Sequence, residues 1–176
     1  MKTPRRRRLE AKTDYKARLA LLKSEKPRIV IRKTNRYIIV QIVKSETAQD
    51  KILTGNTSKV LLSNGLPQES SGSLKSLGAA YLTGFLVGKQ SLKLGVNEAI
   101  LDSGMTRNVK NSRIYAALKG AVDAGLKVPH SDKVLPPIES IKSEKLSKIF
   151  DKIVGEQSHE TKKLNATSEV ARKKEK

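Results

Sequence analysis

The stretch RIVIRKTNRYIIVQIV, Arg28 to Val43, constrains the fold more than any other part of the chain. Alternating aliphatics on both sides of a polar break read as two antiparallel strands joined by a tight turn. Whether the loop is Thr34-Asn35 or Lys33 to Arg36, Arg32 falls opposite Tyr37, and Asn35 suits the left-handed backbone such turns use. Successive strand side chains point to opposite faces, so Ile29, Ile31, Ile38, Val40 and Ile42 share one side. The other side carries Arg28, Val30, Arg32, Tyr37, Ile39 and Gln41, with Lys33 and Arg36 at the tip. One face is core and the other is cationic with a ring able to stack. Edge strands do use single cations against aggregation, but that explains one or two, not this set.

Charge points the same way. The 176-residue chain has 36 Lys+Arg against 17 Asp+Glu, a net charge of +19. Residues 1–36 carry +11, 37–106 only +1, 107–133 +4 and 134–176 +3. A solubilising surface would spread its charge, whereas this one concentrates it in an arm, a hairpin and a loop. Such a footprint calls for a polyanion, with nucleic acid favoured over an anionic membrane. There is no cysteine, which excludes disulfides and cysteinyl zinc sites. The opening MKTPRRRRLEAK has no apolar run behind its basic residues and does not read as a secretory signal. SLGAAYLTGFLVG, residues 76–88, is uncharged but short of the ~20 residues a bilayer requires, so it reads as a buried core helix.

The pass along the chain predicts an α/β fold of order β-β-β-α-β-α. The arm through Arg8 is expected to be unstructured in isolation, and a helix over Leu9–Leu22 is anchored by Leu9, Leu19 and Leu22. Pro27 opens the hairpin, and KILTGNT supplies a third strand. A serine-rich loop leads to a helix from Leu74 to about Ser91, whose Gly78, Gly84 and Gly88 imply close approach to a sheet. NEAILDS is a short strand suited to parallel pairing. A second helix spans Arg113–Ala124, with Ile114, Ala117, Leu118, Ala121 and Val122 at helical spacing, Ser112 as N-cap and Gly125 as terminator. A last amphipathic helix places Ile141, Leu146, Ile149, Phe150 and Ile153 on one side. This divides the chain into a basic arm (1–26), an α/β RNA-binding domain (27–128), an extended segment with a C-terminal helix (129–155) and a flexible low-complexity tail (156–176).

Catalytic chemistry is poorly supplied. A strand ending in Asp102 invites comparison with nucleases, but two-metal chemistry needs clustered carboxylates, and the core region offers Asp50, Glu98 and Asp102 with no acidic pair at the strand ends. Asp102 is better suited to capping a turn or pairing with a cation. His130 and His159 lack companion ligands, and the serines have no partnered histidine, so no catalytic or metal site and no cofactor is assigned. The loop TRNVKNSR is the stronger candidate. It joins the carboxyl end of a strand to a helix N-terminus, where free N–H groups attract anions and Arg107, Lys110 and Arg113 add charge.

Three blocks together, RIVIRKTNRYIIVQIV, AAYLTGFLVGKQSLKLGVNEAILDSG and IYAALKGAVDAGLKVPHSDKVLP, resemble the family of large-subunit ribosomal protein eighteen, in its archaeal form. The resemblance runs from about Arg5 to Leu146. It implies a three-layer α/β domain with a mixed sheet, non-catalytic, that binds 5S ribosomal RNA and helps attach it to the large rRNA in the central protuberance. It implies RNA contact through the arm (Arg5, Arg6, Arg7, Arg8, Lys12, Tyr15, Arg18) and through Arg28, Arg32, Asn35 and Arg36 of the hairpin, beside Lys33 and Tyr37. The loop Arg107–Arg113, with Asn108, Lys110 and Asn111, is the third contact, although it departs from the glycine- and threonine-rich family form. Neighbouring large-subunit proteins, including the other 5S-binding protein, are expected partners, with a cytoplasmic, ribosome-bound monomer and no membrane or small-molecule substrate. The alternative reading is a structured-RNA nuclease or processing factor on a similar fold. A third is a general RNA chaperone.

Overall fold

Aliphatic alternation does produce the hairpin. In the computed structural model, which describes residues 6–10, 12–46, 49–142, 146 and 149–155, β1 (Arg28–Lys33) pairs antiparallel with β2 (Ile38–Glu46). Arg32 lies opposite Ile39 rather than Tyr37, so the expected register is corrected by two residues. The loop is Thr34 to Tyr37. The Thr34 N–H donates to the Tyr37 carbonyl at 2.9 Å, and the Thr34 hydroxyl also donates to that carbonyl and accepts from Tyr37 N–H. A threonine side chain therefore closes the turn, and Asn35 is not left-handed: among the described non-glycine residues only Glu25 and Asn111 have positive φ. Because side chains alternate with period two, a two-residue shift leaves the strand residues on their expected faces. Tyr37, however, falls in the loop and packs against a cluster of apolar residues that includes Leu61 and Leu82, instead of joining the arginine face as expected. Ile29, Ile31, Ile38, Val40 and Ile42 are all buried as expected.

β3 (Gln49–Thr57) adds antiparallel to β2, and β4 (Ile100–Asp102) adds parallel to β1. The mixed sheet has the order β3-β2-β1-β4. One turn of helix, α3 (Val60–Ser63), and a 3₁₀ segment (Gln68–Ser73) occupy the stretch read as a loop. The long helix α4 runs Leu77–Lys93, starting where the Ser76 hydroxyl accepts from Ala79 N–H. α5 spans Arg113–Asp123, and Gly125 at φ +106 ends it.

α4 and α5 lie against the aliphatic face of the sheet and against each other. The close approach that the glycines imply is between helices, not to the sheet. A Cβ on Gly84 would overlap the Ala117 carbonyl, and one on Gly120 would overlap that of Tyr81. The other side of α4 builds a second cluster with Leu61, Leu66, Ile141, Leu146, Ile149, Phe150 and Ile153, and Tyr81 stacks on Phe150 at 5.2 Å. The predicted C-terminal apolar set is thus buried, but not on one continuous helix. α6 (Ile138–Ile141) stops at Lys142, whose backbone is extended; Leu146, Ile149 and Phe150 are again helical, and Asp151–Gly155 runs on directly from Phe150 as a wider turn of helix.

The N-terminal helix is likewise two pieces, α1 (Arg6–Leu9) and α2 (Tyr15–Leu22). Asp14 separates them because its carboxylate accepts from Lys16 and Ala17 N–H, the geometry of an N-cap. Leu9 and Leu19 are exposed and anchor nothing. α2 is instead fastened by Arg18, which reaches Asp50 at 2.8 Å on the sheet face opposite α4 and α5, so helices flank both faces. Arg6 to Arg8, expected to be unstructured, begin α1, where Arg6 pairs with Glu10. Arg5 and the tail 156–176 lie outside the described residues.

Candidate nucleic-acid interface

The parallel pairing of β1 with β4 brings together two basic segments that are 70 residues apart in sequence. Parallel neighbours end at the same edge of a sheet. The tip after Lys33 and the loop after Asp102 therefore emerge side by side.

Beneath them the polar face of the sheet is held by a chain of ion pairs. Arg28, whose side chain is only 3% exposed, donates to Asp102 at 2.8 Å, to Asp50 at 2.7 Å and to Ser45 at 3.0 Å. Arg32 donates to the other Asp102 carboxylate oxygen at 2.7 Å and to the Asp102 carbonyl at 2.6 Å. That same carboxylate oxygen accepts Gly104 N–H, and Gly104 is left-handed at a position where a Cβ would run into the Arg32 guanidinium. Asp102 therefore both pairs with cations and caps the turn that starts the basic loop. With both oxygens engaged by arginines, it is not arranged as a metal ligand of a nuclease. Burial alone would raise the Asp50 carboxyl. Hydrogen bonds from Ser45, Arg18 and Arg28 outweigh that and hold it down at about 2.

A second set of cations behaves differently. Among the described residues, Lys33, Arg36, Arg107, Lys110 and Arg113 have no acidic partner within ion-pair distance. Lys33, Arg107, Asn111 and Arg113 line one groove of about 470 Å³ with Leu77, Val109 and Ile114. Asn111 takes the left-handed conformation at φ 56, and its N–H donates to the Val134 carbonyl at 3.1 Å, pinning the loop before α5. Asn108 is exposed on that loop.

Two further lysines at the tip carry no signal in the sequence. Lys75 donates to the Asn35 carbonyl at 3.0 Å, and Lys59 sits 4.8 Å from the centre of the Tyr37 ring. Both lie in the nearly neutral middle of the chain, so charge counting passes over them. Tyr37 itself is half-buried against the second apolar cluster, with Lys59 over one ring face.

The structure thus divides the predicted site residues. Lys33, Asn35, Arg36, Tyr37, Arg107, Asn108, Lys110, Asn111 and Arg113 sit at one end of the sheet. Arg18, Arg28 and Arg32 are bound to Asp50 and Asp102, although Arg32 keeps a side chain 40% exposed. On the arm, Arg6 and Lys12 share Glu10, Arg7 donates to the Thr13 hydroxyl, and Tyr15 begins α2. His130, expected to be structural, hydrogen-bonds to the Val128 carbonyl at 2.7 Å. Among the described residues no helix is long and apolar enough to cross a membrane.

The family model of ribosomal large subunit proteins 60S L5 and 50S L18 matches residues 1–98 and 93–131. The chain belongs to this family. Among relatives, large ribosomal subunit protein uL18 of Korarchaeum cryptofilum is 49% identical over 155 residues, covering 88% of this chain and 77% of that protein. The uL18 of Methanothrix thermoacetophila is 48% identical, covering 81% and 82%, and that of Aeropyrum pernix 41% identical, covering 83% and 67%. The resemblance to the archaeal form therefore holds. Family membership makes this chain a structural, non-catalytic protein of the large ribosomal subunit in the cytoplasm, with ribosomal RNA and ribosomal proteins as its surroundings.

Proposed function

We propose that the chain binds 5S ribosomal RNA and helps attach it to the large rRNA in the central protuberance of the subunit. The observation that carries this reading is the gathering of Lys33, Arg36, Arg107, Lys110 and Arg113, cations with no acidic partner among the described residues, at the sheet edge where β1 and β4 end. Such cations neutralise phosphates and release counterions, and they read a folded RNA chiefly through its shape and backbone. Asn35, Asn108 and Asn111 add neutral hydrogen-bonding groups to this edge, beside the half-buried Tyr37. The arm, with Arg5, Arg6, Arg7, Arg8, Lys12 and Tyr15, makes a second contact on the same RNA. Arg28 and Arg18 serve this surface indirectly, by fixing Asp102 and Asp50, while Arg32 fixes Asp102 and keeps one edge for phosphate.

Filter binding of 5S rRNA over a salt series tests the reading. Replacing Arg36, Arg107 and Arg113 by alanine should weaken binding and reduce the slope of log K against log salt by roughly one for each phosphate no longer neutralised. An unchanged slope, or equal affinity for unrelated structured RNAs, would reject the 5S assignment. The second outcome would favour a general RNA chaperone.

A further inference from the structure

We propose that the groove between the loop 103–112 and the start of α4 holds one unstacked nucleotide of the bound RNA. Its base would lie on the apolar floor and its phosphate at the N-terminus of α5. This rests on the RNA-binding reading above and narrows it to a subsite.

The floor and rim of the groove have different chemistry. Leu77, Val109 and Ile114 supply aliphatic surface, while Lys33, Arg107 and Arg113 supply charge. Binding to a duplex backbone would use the cations and leave the aliphatics in water. Val109 is 51% exposed within this basic loop, a cost with no return if phosphate alone is bound. An apolar floor with a cationic rim matches a flat, weakly polar group covalently tied to an anion, which describes a nucleotide. The volume, about 470 Å³, lies in the ~300–1,000 Å³ range of sites that enclose small ligands. RNA-binding proteins commonly take single bases splayed out of loops and bulges in this way.

The phosphate end has its own support. Ser112 has the extended backbone of an N-cap residue, yet its side chain makes no capping hydrogen bond. Asp14 and Ser76 do cap α2 and α4. The first-turn N–H groups of α5 are therefore left for an anion, beside Arg113. Both ends of the loop are fixed beforehand, at Gly104 by Asp102 and at Asn111 by Val134, so binding needs little further ordering.

The test places a photo-crosslinking p-benzoylphenylalanine at Val109 in the full chain bound to 5S rRNA, with dimethyl sulfate and carbodiimide probing of the unmodified complex. The expected result is a crosslink to one unpaired nucleotide whose base is protected in the complex. Val109→Ser, which keeps every cation, should remove that protection and weaken binding without altering its salt slope. Crosslinks scattered along duplex strands, or none from a complex that forms normally, would overturn the subsite while leaving RNA binding intact. A crosslink to a neighbouring protein in whole large subunits would overturn it in favour of protein docking. Failure to bind 5S rRNA at all would remove the broader reading, and the subsite with it.

Discussion

Replacing Asp102 by alanine should damage the fold far more than replacing any cation of the proposed RNA edge. The carboxylate accepts from Arg28 at 2.8 Å, from Arg32 at 2.7 Å and from Gly104 N–H at 3.0 Å. Its removal leaves the Arg28 guanidinium, 3% exposed, with Asp50 and Ser45 as its remaining partners. Removing one partner of a buried ion pair costs about 3–5 kcal/mol, and the surviving Asp50 pair puts this case at the lower end, about 3 kcal/mol. For a chain of this length that corresponds to a fall in Tm of roughly 6–12 °C. Urea unfolding followed by circular dichroism measures the loss directly. A double-mutant cycle with Arg28→Ala should show the two losses to be strongly non-additive, because both remove the same interaction. By contrast, Arg36→Ala and Arg107→Ala should each change stability by no more than about 0.5 kcal/mol, as exposed substitutions do. An Asp102→Ala midpoint within error of the parent would refute the structural role given to this network. So would an Arg28→Ala protein of normal stability that binds RNA poorly, since Arg28 would then be an RNA ligand itself.

Two further predictions concern stability alone. The Asp50 carboxyl is held at about 2 against an ordinary value of 3.8, so its ionisation favours the folded state. That contribution is fully present above the unfolded value and is lost as pH falls from about 4 through 2. Its ceiling is about 2 kcal/mol, reduced to about 1 because the carboxylate is one-third exposed. The stability gap between the parent and Asp50→Asn should close between pH 5 and pH 2, and a gap constant over that interval would contradict it. Gly84→Ala gains helix propensity of about 1 kcal/mol. Its Cβ nevertheless meets the Ala117 backbone, so a net loss of about 1–3 kcal/mol is expected from separating α4 and α5. Any stabilisation in urea unfolding would count against that packing.

Local pattern explains why so much of this is legible in the residues. The strand residues of the hairpin keep their faces despite an incorrect register because the period of a strand is two and the error is two, whereas Tyr37 does not, because the turn takes it out of the strand. The helix over Arg113–Asp123 is legible because its apolar spacing, its terminating Gly125 and the extended segment that follows all agree. The split at Asp14 escapes a sequence reading because an aspartate looks like an ordinary helix-surface residue until its carboxylate is seen to accept two N–H groups. Lys59 and Lys75 escape it because no count along the chain reports which lysines come near Tyr37 and Asn35 in space.

By itself, the sequence determined the element order, the aliphatic core face, the concentration of charge and the family to which those blocks belong. These depend on periodicity and composition, which a linear string carries in full. Only the tertiary structure decided which arginines are free. Arg28 and Arg36 look alike in the string, but the pairing of β1 with β4 sets a buried carboxylate beside the first, while the second has no acidic partner among the described residues. Coulombic partnership depends on distance through space, and here it separates the cations that hold the scaffold from those left for phosphate.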